Sequence, residues 1–148
     1  MHNESEIEIY KQHRASQDKY IYFLLAAAGA GIGFALNQTK GAALSLYQYP
    51  LAFAVLSWGI SFYAGCKNSS YINGILLTNA ELLRALQGKH PLPKTPEEAA
   101  ALPIVIREAI KKDEKIIIQY ASIQFKALIT GALLYIAWHI IDMWQHTI

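Results

Sequence analysis

The chain has 148 residues, of which 53% are apolar and 16% charged, and its net charge is +2. This length allows one domain, residues 1–148, and the charged fraction lies well below the roughly 25% that is usual in soluble proteins. The small net charge gives no reason to expect specific nucleic-acid binding, and a single cysteine, Cys66, excludes an internal disulfide framework.

Residues 1–19 are polar and predict a helical extension of the first apolar run, residues 20–36. That run contains AAAGAGIGFAL, with three glycines at alternate positions. A phosphate-binding glycine loop would follow a strand, and no strand pattern precedes this stretch. Gly29 and Gly33 instead form a GxxxG pair that Ala26 and Ala30 widen, which is typical of closely packed membrane helices. The partner of this face is either a second copy of the chain or the chain's own second or third segment.

Three apolar runs, residues 20–36, 50–66 and 127–143, are close to the shortest length that spans a bilayer as a helix, roughly 17–25 residues. Isolated spanning segments must be helical because hydrocarbon offers no hydrogen-bond partners to the backbone. The sequence therefore predicts an all-α membrane protein with three transmembrane helices. An outer loop, residues 37–49, and an outer tail, residues 144–148, complete this part of the chain.

Basic residues are distributed unevenly around these runs, which predicts the orientation. Only Lys40 lies in the 37–49 loop and none in the tail, whereas the N-terminal stretch and the 67–126 segment hold all the others. By the positive-inside rule the N-terminus and residues 67–126 are cytoplasmic, and the C-terminus is outside.

Residues 67–126 predict a cytoplasmic helical hairpin with a tip loop at 88–96. The first arm ends at Gly88, and Thr95 to Glu98 has the pattern of a helix-capping box. Pro103 predicts a short helical turn followed by a new helix from about Ile104. Asn79 lies on the apolar face of the first arm, either as a buried residue that fixes register or as a solvated edge residue.

The arms carry more apolar positions than one antiparallel pair needs to bury. This surplus predicts a homo-oligomer, because exposed apolar stripes tend to mark interaction surfaces. The tip loop is a candidate site for a soluble cytoplasmic partner.

His139, Asp142 and His146 share one face of the third apolar segment near its outer end. Ionisable groups there suggest a metal site or a proton path. A role in helix pairing or at the membrane interface is the simpler interpretation, since three ligands from one straight helix spread too far for one ion. No nucleotide motif or paired catalytic carboxylates are present, and no cofactor is expected.

The stretch from Arg84 to His90, RALQGKH, fits a loose arginine–histidine spacing that resembles ribonucleases of the HEPN class. That resemblance implies an arginine that holds an RNA phosphate and a histidine that transfers a proton. The simpler interpretation is an arginine at a helix end and a solvated loop histidine.

Residues 20–66 contain YFLLA, then NQT after the first run, and SFYAGC at the end of the second. These features resemble a group of small bacterial inner-membrane proteins. The resemblance implies residence in the bacterial inner membrane and brings no catalytic residues.

Together these features predict an oligomeric, non-enzymatic membrane module. It would form pores or perturb the membrane, as effectors of stress or phage defence do, under control of its cytoplasmic helices. The alternatives are a membrane-tethered ribonuclease that uses Arg84 and His90, and a membrane adaptor that recruits a soluble partner.

Overall fold

The computed structural model describes residues 2–40 and 46–145, and within these ranges it contains helices and no strand. Helix α1 spans His2–Gln38, a 3₁₀ turn spans Leu46–Gln48, α2 spans Tyr49–Leu86 and α3 spans Pro96–Gln145. The predicted all-α fold is confirmed. Residues 41–45 of the predicted outer loop and 146–148 of the predicted tail lie outside the described residues.

Helix α2 ends where the sequence predicts, at a glycine in the left-handed conformation. Gly88 has a φ of 66°, which a residue without a side chain adopts at little cost. Its N–H donates to the carbonyl of Ala85 at 3.1 Å, and the N–H of Lys89 donates to the carbonyl of Arg84 at 2.9 Å. This pair of bonds is the Schellman motif, which satisfies the last carbonyls of the helix.

Helix α3 begins at the predicted cap, Thr95 to Glu98, and the carboxylate of Glu98 bonds the residue before the N-cap where a standard capping box has the N-cap itself. The N–H of Glu98 donates to Oγ1 of Thr95 at 3.2 Å, and Oε2 of Glu98 accepts from the N–H of Lys94 at 2.7 Å. Pro96 is the first helical residue, where the missing proline N–H leaves no bond unmade.

The predicted interruption at Pro103 is wrong, because α3 runs through this residue as one helix of 50 residues. Proline lacks the N–H that would bond the carbonyl of Ala99, so one intrahelical bond is absent. The cap at Thr95 holds the turns before Pro103 in place, and the long helix after it is continuous. One missing bond is therefore not enough to end the helix.

The chain packs as two compact units, one formed by residues 1–66 and 122–148 and the other by residues 67–121. The core of the first unit consists largely of alanine and tryptophan side chains: Ala28, Ala35, Leu51, Ala54, Trp58 and Trp138. Small residues let three helices approach each other closely around the large indole rings.

The outer face of the first unit is apolar, while polar side chains are found in its interior. Phe23, Phe53 and Leu133 are each more than half exposed, whereas Ser61 and Gln124 are fully buried. A water-soluble unit has the opposite arrangement. Each of the three α-helices is long and apolar enough to cross a membrane, which agrees with the predicted membrane residence.

The second unit joins the end of α2, the connecting loop and the first half of α3. The rings of Tyr71 and Tyr120 stack with centroids 5.8 Å apart, so the two helices lie side by side at this level. Among the described residues of this unit, the buried apolar side chain is that of Ile110. Leu77, Ile104 and Ile118 are strongly exposed. This unit therefore has a small core and much uncovered apolar surface.

Candidate functional site

Helix α1 carries two separate stripes along its apolar half. One stripe, Ile21, Leu24, Ala28 and Ala35, is buried within the first unit. The other is the predicted small-residue face, and all of its members are exposed: Ala26, Gly29, Ala30 and Gly33. A Cβ added at Gly29 or Gly33 would have no atom within 4 Å. The sequence left two possible partners for this face, a second copy of the chain or the chain's own helices. Among the described residues, no helix of the chain covers it.

Packing inside the first unit depends on other glycines. An ideal Cβ on Gly31 would lie 2.9 Å from three ring atoms of Trp58, and one on Gly131 would lie 2.6 Å from two others. The indole of Trp58, carried by α2, thus occupies a slot between a glycine of α1 and a glycine of α3. Its Nε1 donates to the carbonyl of Leu128 at 3.3 Å, which satisfies the one polar atom of the ring.

Gly31 and Gly131 are packing residues that sequence reasoning missed. Gly31 lies in the same glycine-rich stretch as Gly29 and Gly33, two residues from each. The signal was therefore present in the sequence, but spacing alone cannot tell which stripe of α1 faces the other helices. Gly131 is a single glycine in an apolar run and carries no spacing signal at all.

A polar layer crosses the first unit near the end of the predicted second span. Ser61 Oγ donates to the backbone carbonyl of Gln124 at 2.8 Å, and both residues are fully buried. An ideal Cβ on Gly65 would overlap the side-chain Nε2 of Gln124. Glycine at this position therefore makes room for the buried amide.

The predicted Arg84 and His90 are both linked to Glu81 in the second unit. Arg84 Nη1 lies 2.9 Å from Oε1 of Glu81, and His90 Nε2 lies 3.2 Å from Oε2. The other ring nitrogen, Nδ1, accepts from the N–H of Leu92 at 3.2 Å. The His90 side chain is only 8% exposed, whereas that of Arg84 is 62% exposed.

This arrangement fixes the protonation pattern of a neutral His90 ring, because Nδ1 accepts a hydrogen bond and Nε2 donates one. Both nitrogens are engaged within the chain, so neither is offered to a substrate in this conformation. The contacts of His90 instead tie the loop residue Leu92 to helix α2 through Glu81. In this geometry His90 has a structural role, holding the tip loop against the end of α2.

Asn79 is half-buried on α2, and Ile75 and Leu82 on the same side of the helix are half-buried too. The burial of Asn79 thus lies between the two predicted environments, a buried register position and a solvated edge. Its role in register stays a prediction.

Of the polar residues predicted near the C-terminal end of α3, His139 joins an aromatic cluster with Tyr135 and Trp138. The ring of His139 lies parallel to that of Tyr135, with centroids 6.4 Å apart and planes 5° apart. His139 is exposed and Asp142 half-buried. His146 lies outside the described residues, and within 2–40 and 46–145 no group of three or more His, Cys, Asp or Glu is placed to hold a metal ion.

Comparison of this chain with protein-family models, with curated proteins and with solved structures gives no significant match.

Proposed function

We propose that this chain is an integral protein of the bacterial inner membrane whose copies associate through the small-residue face of α1. The resulting oligomer acts as a non-enzymatic membrane module that conducts across the bilayer or perturbs it, as effectors of stress or phage defence do. One observation carries the proposal: the face formed by Ala26, Gly29, Ala30 and Gly33 is uncovered, while α1 uses a different stripe for packing within the chain.

The chemistry of that face favours another helix over lipid. Gly29 and Gly33 have no side chains to hold a neighbour at a distance, so a second backbone can approach closely and gain dispersion contacts along its length. Lipid chains are disordered and fill such a narrow groove poorly. A second α1, with the same groove, is a complementary surface in a two-fold symmetric dimer.

The proposed orientation rests on the distribution of basic residues. Lys11, Arg14 and Lys19 precede the first span, and nine of the thirteen basic residues lie within residues 67–126. These parts then face the cytoplasm.

The second unit supplies the proposed control. Its exposed apolar side chains, among them Leu77, Ile104 and Ile118, are unusual for a surface in water. Contacts between copies through these side chains would couple the state of the cytoplasmic arms to the association of the spans.

The experiment is induction of the chain in bacteria with membrane potential and dye entry as readouts. The double variant Gly29→Leu/Gly33→Leu fills the face and is expected to abolish depolarisation and to remove the oligomer from cross-linking in native membranes. Gly59→Leu is the matched control, because Gly59 is also an exposed glycine where an added Cβ would have no atom within 4 Å. That variant should depolarise like the unchanged protein.

Cross-linking that finds only monomers in native membranes would contradict self-association. If oligomers form while the potential holds, the association stands and spontaneous conduction does not.

A second candidate function, a membrane adaptor, is favoured by an apolar recess of about 380 Å³ beside the tip loop. Leu92, Pro93, Leu102 and Val105 line it, and Leu92 and Val105 are more than 60% exposed. A soluble partner that inserts an apolar side chain here would lose binding on Val105→Glu. The matched variant Leu77→Glu alters an equally exposed apolar residue away from the recess and should retain the partner.

A further inference from the structure

The tip loop is attached to α2 through a histidine whose two ring nitrogens have different partners. Nδ1 of His90 accepts from the N–H of Leu92 at 3.2 Å, and Nε2 lies 3.2 Å from Oε2 of Glu81. The His90 side chain is 8% exposed, so little water can reach the ring to replace either partner. A ring with one proton, carried on Nε2, satisfies both contacts at once.

The charged groups near His90 come from three elements. On α2, the carboxylate of Glu81 faces Nε2, and Arg84 binds the other oxygen of that carboxylate. In the tip loop, the neighbouring Lys89 is exposed. On α3, the carboxylate of Glu98 accepts from a backbone N–H of the loop. Among the described residues, the partner of Nδ1 is therefore an uncharged backbone group.

Protonation of the ring acts on the two contacts in opposite ways, because an imidazolium carries a proton on each nitrogen. The contact between Nε2 and Glu81 becomes an ion pair and is kept. Nδ1 turns from an acceptor into a donor and then faces the N–H of Leu92, which is also a donor, so this hydrogen bond is lost. Histidine side chains in general change charge between about pH 5 and 8.

The residue that is released also forms part of the apolar recess beside the tip loop. Leu92 and Pro93 line this recess from the loop, and Leu102 and Val105 line it from α3. When the backbone of Leu92 is no longer held by His90, one wall of the recess is free to move. The charge on one imidazole is thereby coupled to the shape of an exposed apolar surface.

We propose that His90 is a pH-sensitive switch of the tip loop. The neutral ring holds Leu92 and keeps the recess in the form described here, whereas the protonated ring stays on Glu81 and releases Leu92. The switch lies within the second unit of each chain, so it depends neither on association through α1 nor on a soluble partner.

The test is amide hydrogen exchange at Leu92, measured by NMR between pH 5 and 8 on the full isotope-labelled chain in lipid nanodiscs. Each rate is divided by the rate of an unstructured chain at the same pH, which leaves the protection factor. The ring signals of His90, assigned by their disappearance in His90→Asn, report its charge in the same samples. Protection at Leu92 should fall about fivefold as the ring becomes protonated, which corresponds to the loss of one hydrogen bond.

Three controls accompany the measurement. The amide of Lys89 donates to the backbone carbonyl of Arg84, which does not titrate, so its protection factor should stay constant. His90→Asn supplies an acceptor that does not titrate and should make protection at Leu92 independent of pH. His13→Asn removes an exposed histidine of α1 and should leave the pH dependence at Leu92 unchanged.

Two results would overturn the proposal. One is a His90 ring that keeps the same charge from pH 5 to 8. The other is a protection factor at Leu92 that stays constant while the ring becomes protonated.

Discussion

The indole ring of Trp58 occupies the space that a side chain at Gly131 would need, since an ideal Cβ there would lie 2.6 Å from Nε1 and 3.0 Å from the backbone oxygen of Ala54. The ring can tilt only a little, because Gly31 closes its other side and Nε1 is bonded to Leu128. The position of Trp58 therefore links all three helices of the first unit.

Gly131→Ala is expected to destabilise the first unit by about 2 kcal/mol, in the range for an overpacked core. Gly31→Ala should cost less, because its new methyl meets only the ring and no backbone atom within 3 Å. Chemical denaturation in detergent, followed by Trp fluorescence, measures both. The control Gly59→Ala adds a methyl where nothing lies within 4 Å and should stabilise α2 by about 0.5–1 kcal/mol through reduced chain entropy. Equal changes in stability on substitution of Gly31, Gly59 and Gly131 would contradict the packing of Trp58 between Gly31 and Gly131.

His90→Ala is expected to loosen the tip loop without affecting the first unit. The variant loses the bond from Leu92 N–H to Nδ1 and the contact with Glu81. One such bond is worth about 1 kcal/mol, so hydrogen exchange at the Leu92 amide should accelerate about fivefold. His90→Asn offers a carbonyl oxygen near the position of Nδ1 and should keep most of the protection.

Arg84→Ala distinguishes the structural role of His90 from a role of Arg84 and His90 in ribonuclease catalysis. The Arg84–Glu81 pair is exposed and lies within one turn of α2, so its loss should leave exchange at Leu92 unchanged. If His90→Ala and Arg84→Ala both abolish one phenotype while Leu92 stays protected, the catalytic interpretation gains and the loop role of His90 fails.

Gly88→Ala is expected to destabilise the end of α2 by about 1–2 kcal/mol, because a Cβ is strained in the left-handed conformation. Exchange at the Lys89 amide, which closes the Schellman motif, reports the change. Gly74→Ala is the matched variant, since Gly74 lies within α2 and an added Cβ there would have no neighbouring atom within 4 Å. It should stabilise the same helix, so the two substitutions are expected to have opposite signs.

Pro103→Ala is expected to stabilise α3 by up to about 3 kcal/mol, because the new N–H can bond the carbonyl of Ala99. Thermal unfolding in detergent measures the gain. Pro96→Ala serves as the comparison, since a proline at the first helical position sacrifices no bond. A loss of stability in Pro103→Ala would mean that packing of the second unit requires the local bend that proline gives.

The features that sequence predicted well are those decided within a few residues. The exit at Gly88 and the capping box at Thr95 depend on backbone conformation and on partners close by in the chain. Long apolar runs likewise predict long helices, because their length and composition are local properties.

The features that sequence missed depend on which elements meet. Gly29 and Gly31 are two positions apart in one stretch, yet only the latter lies against Trp58, and the choice is made by helices that are distant in the chain. The carboxylate that holds His90 comes from Glu81, more than two helical turns earlier and across the exit of α2. The break expected at Pro103 failed for a related reason, since the propensity of one residue was outweighed by the continuity of a long helix.

The two stripes of α1 also have a consequence for how related sequences diverge. Gly31, Gly65 and Gly131 each stand against a neighbouring side chain of the same unit, so purifying selection on folding should keep all three in any descendant. A Cβ added at Gly29 or Gly33 would have no neighbouring atom within 4 Å, so folding leaves these two positions free to vary. Related proteins could then gain, lose or exchange partners through substitutions on the exposed stripe of α1, while the buried stripe of the same helix preserves the fold.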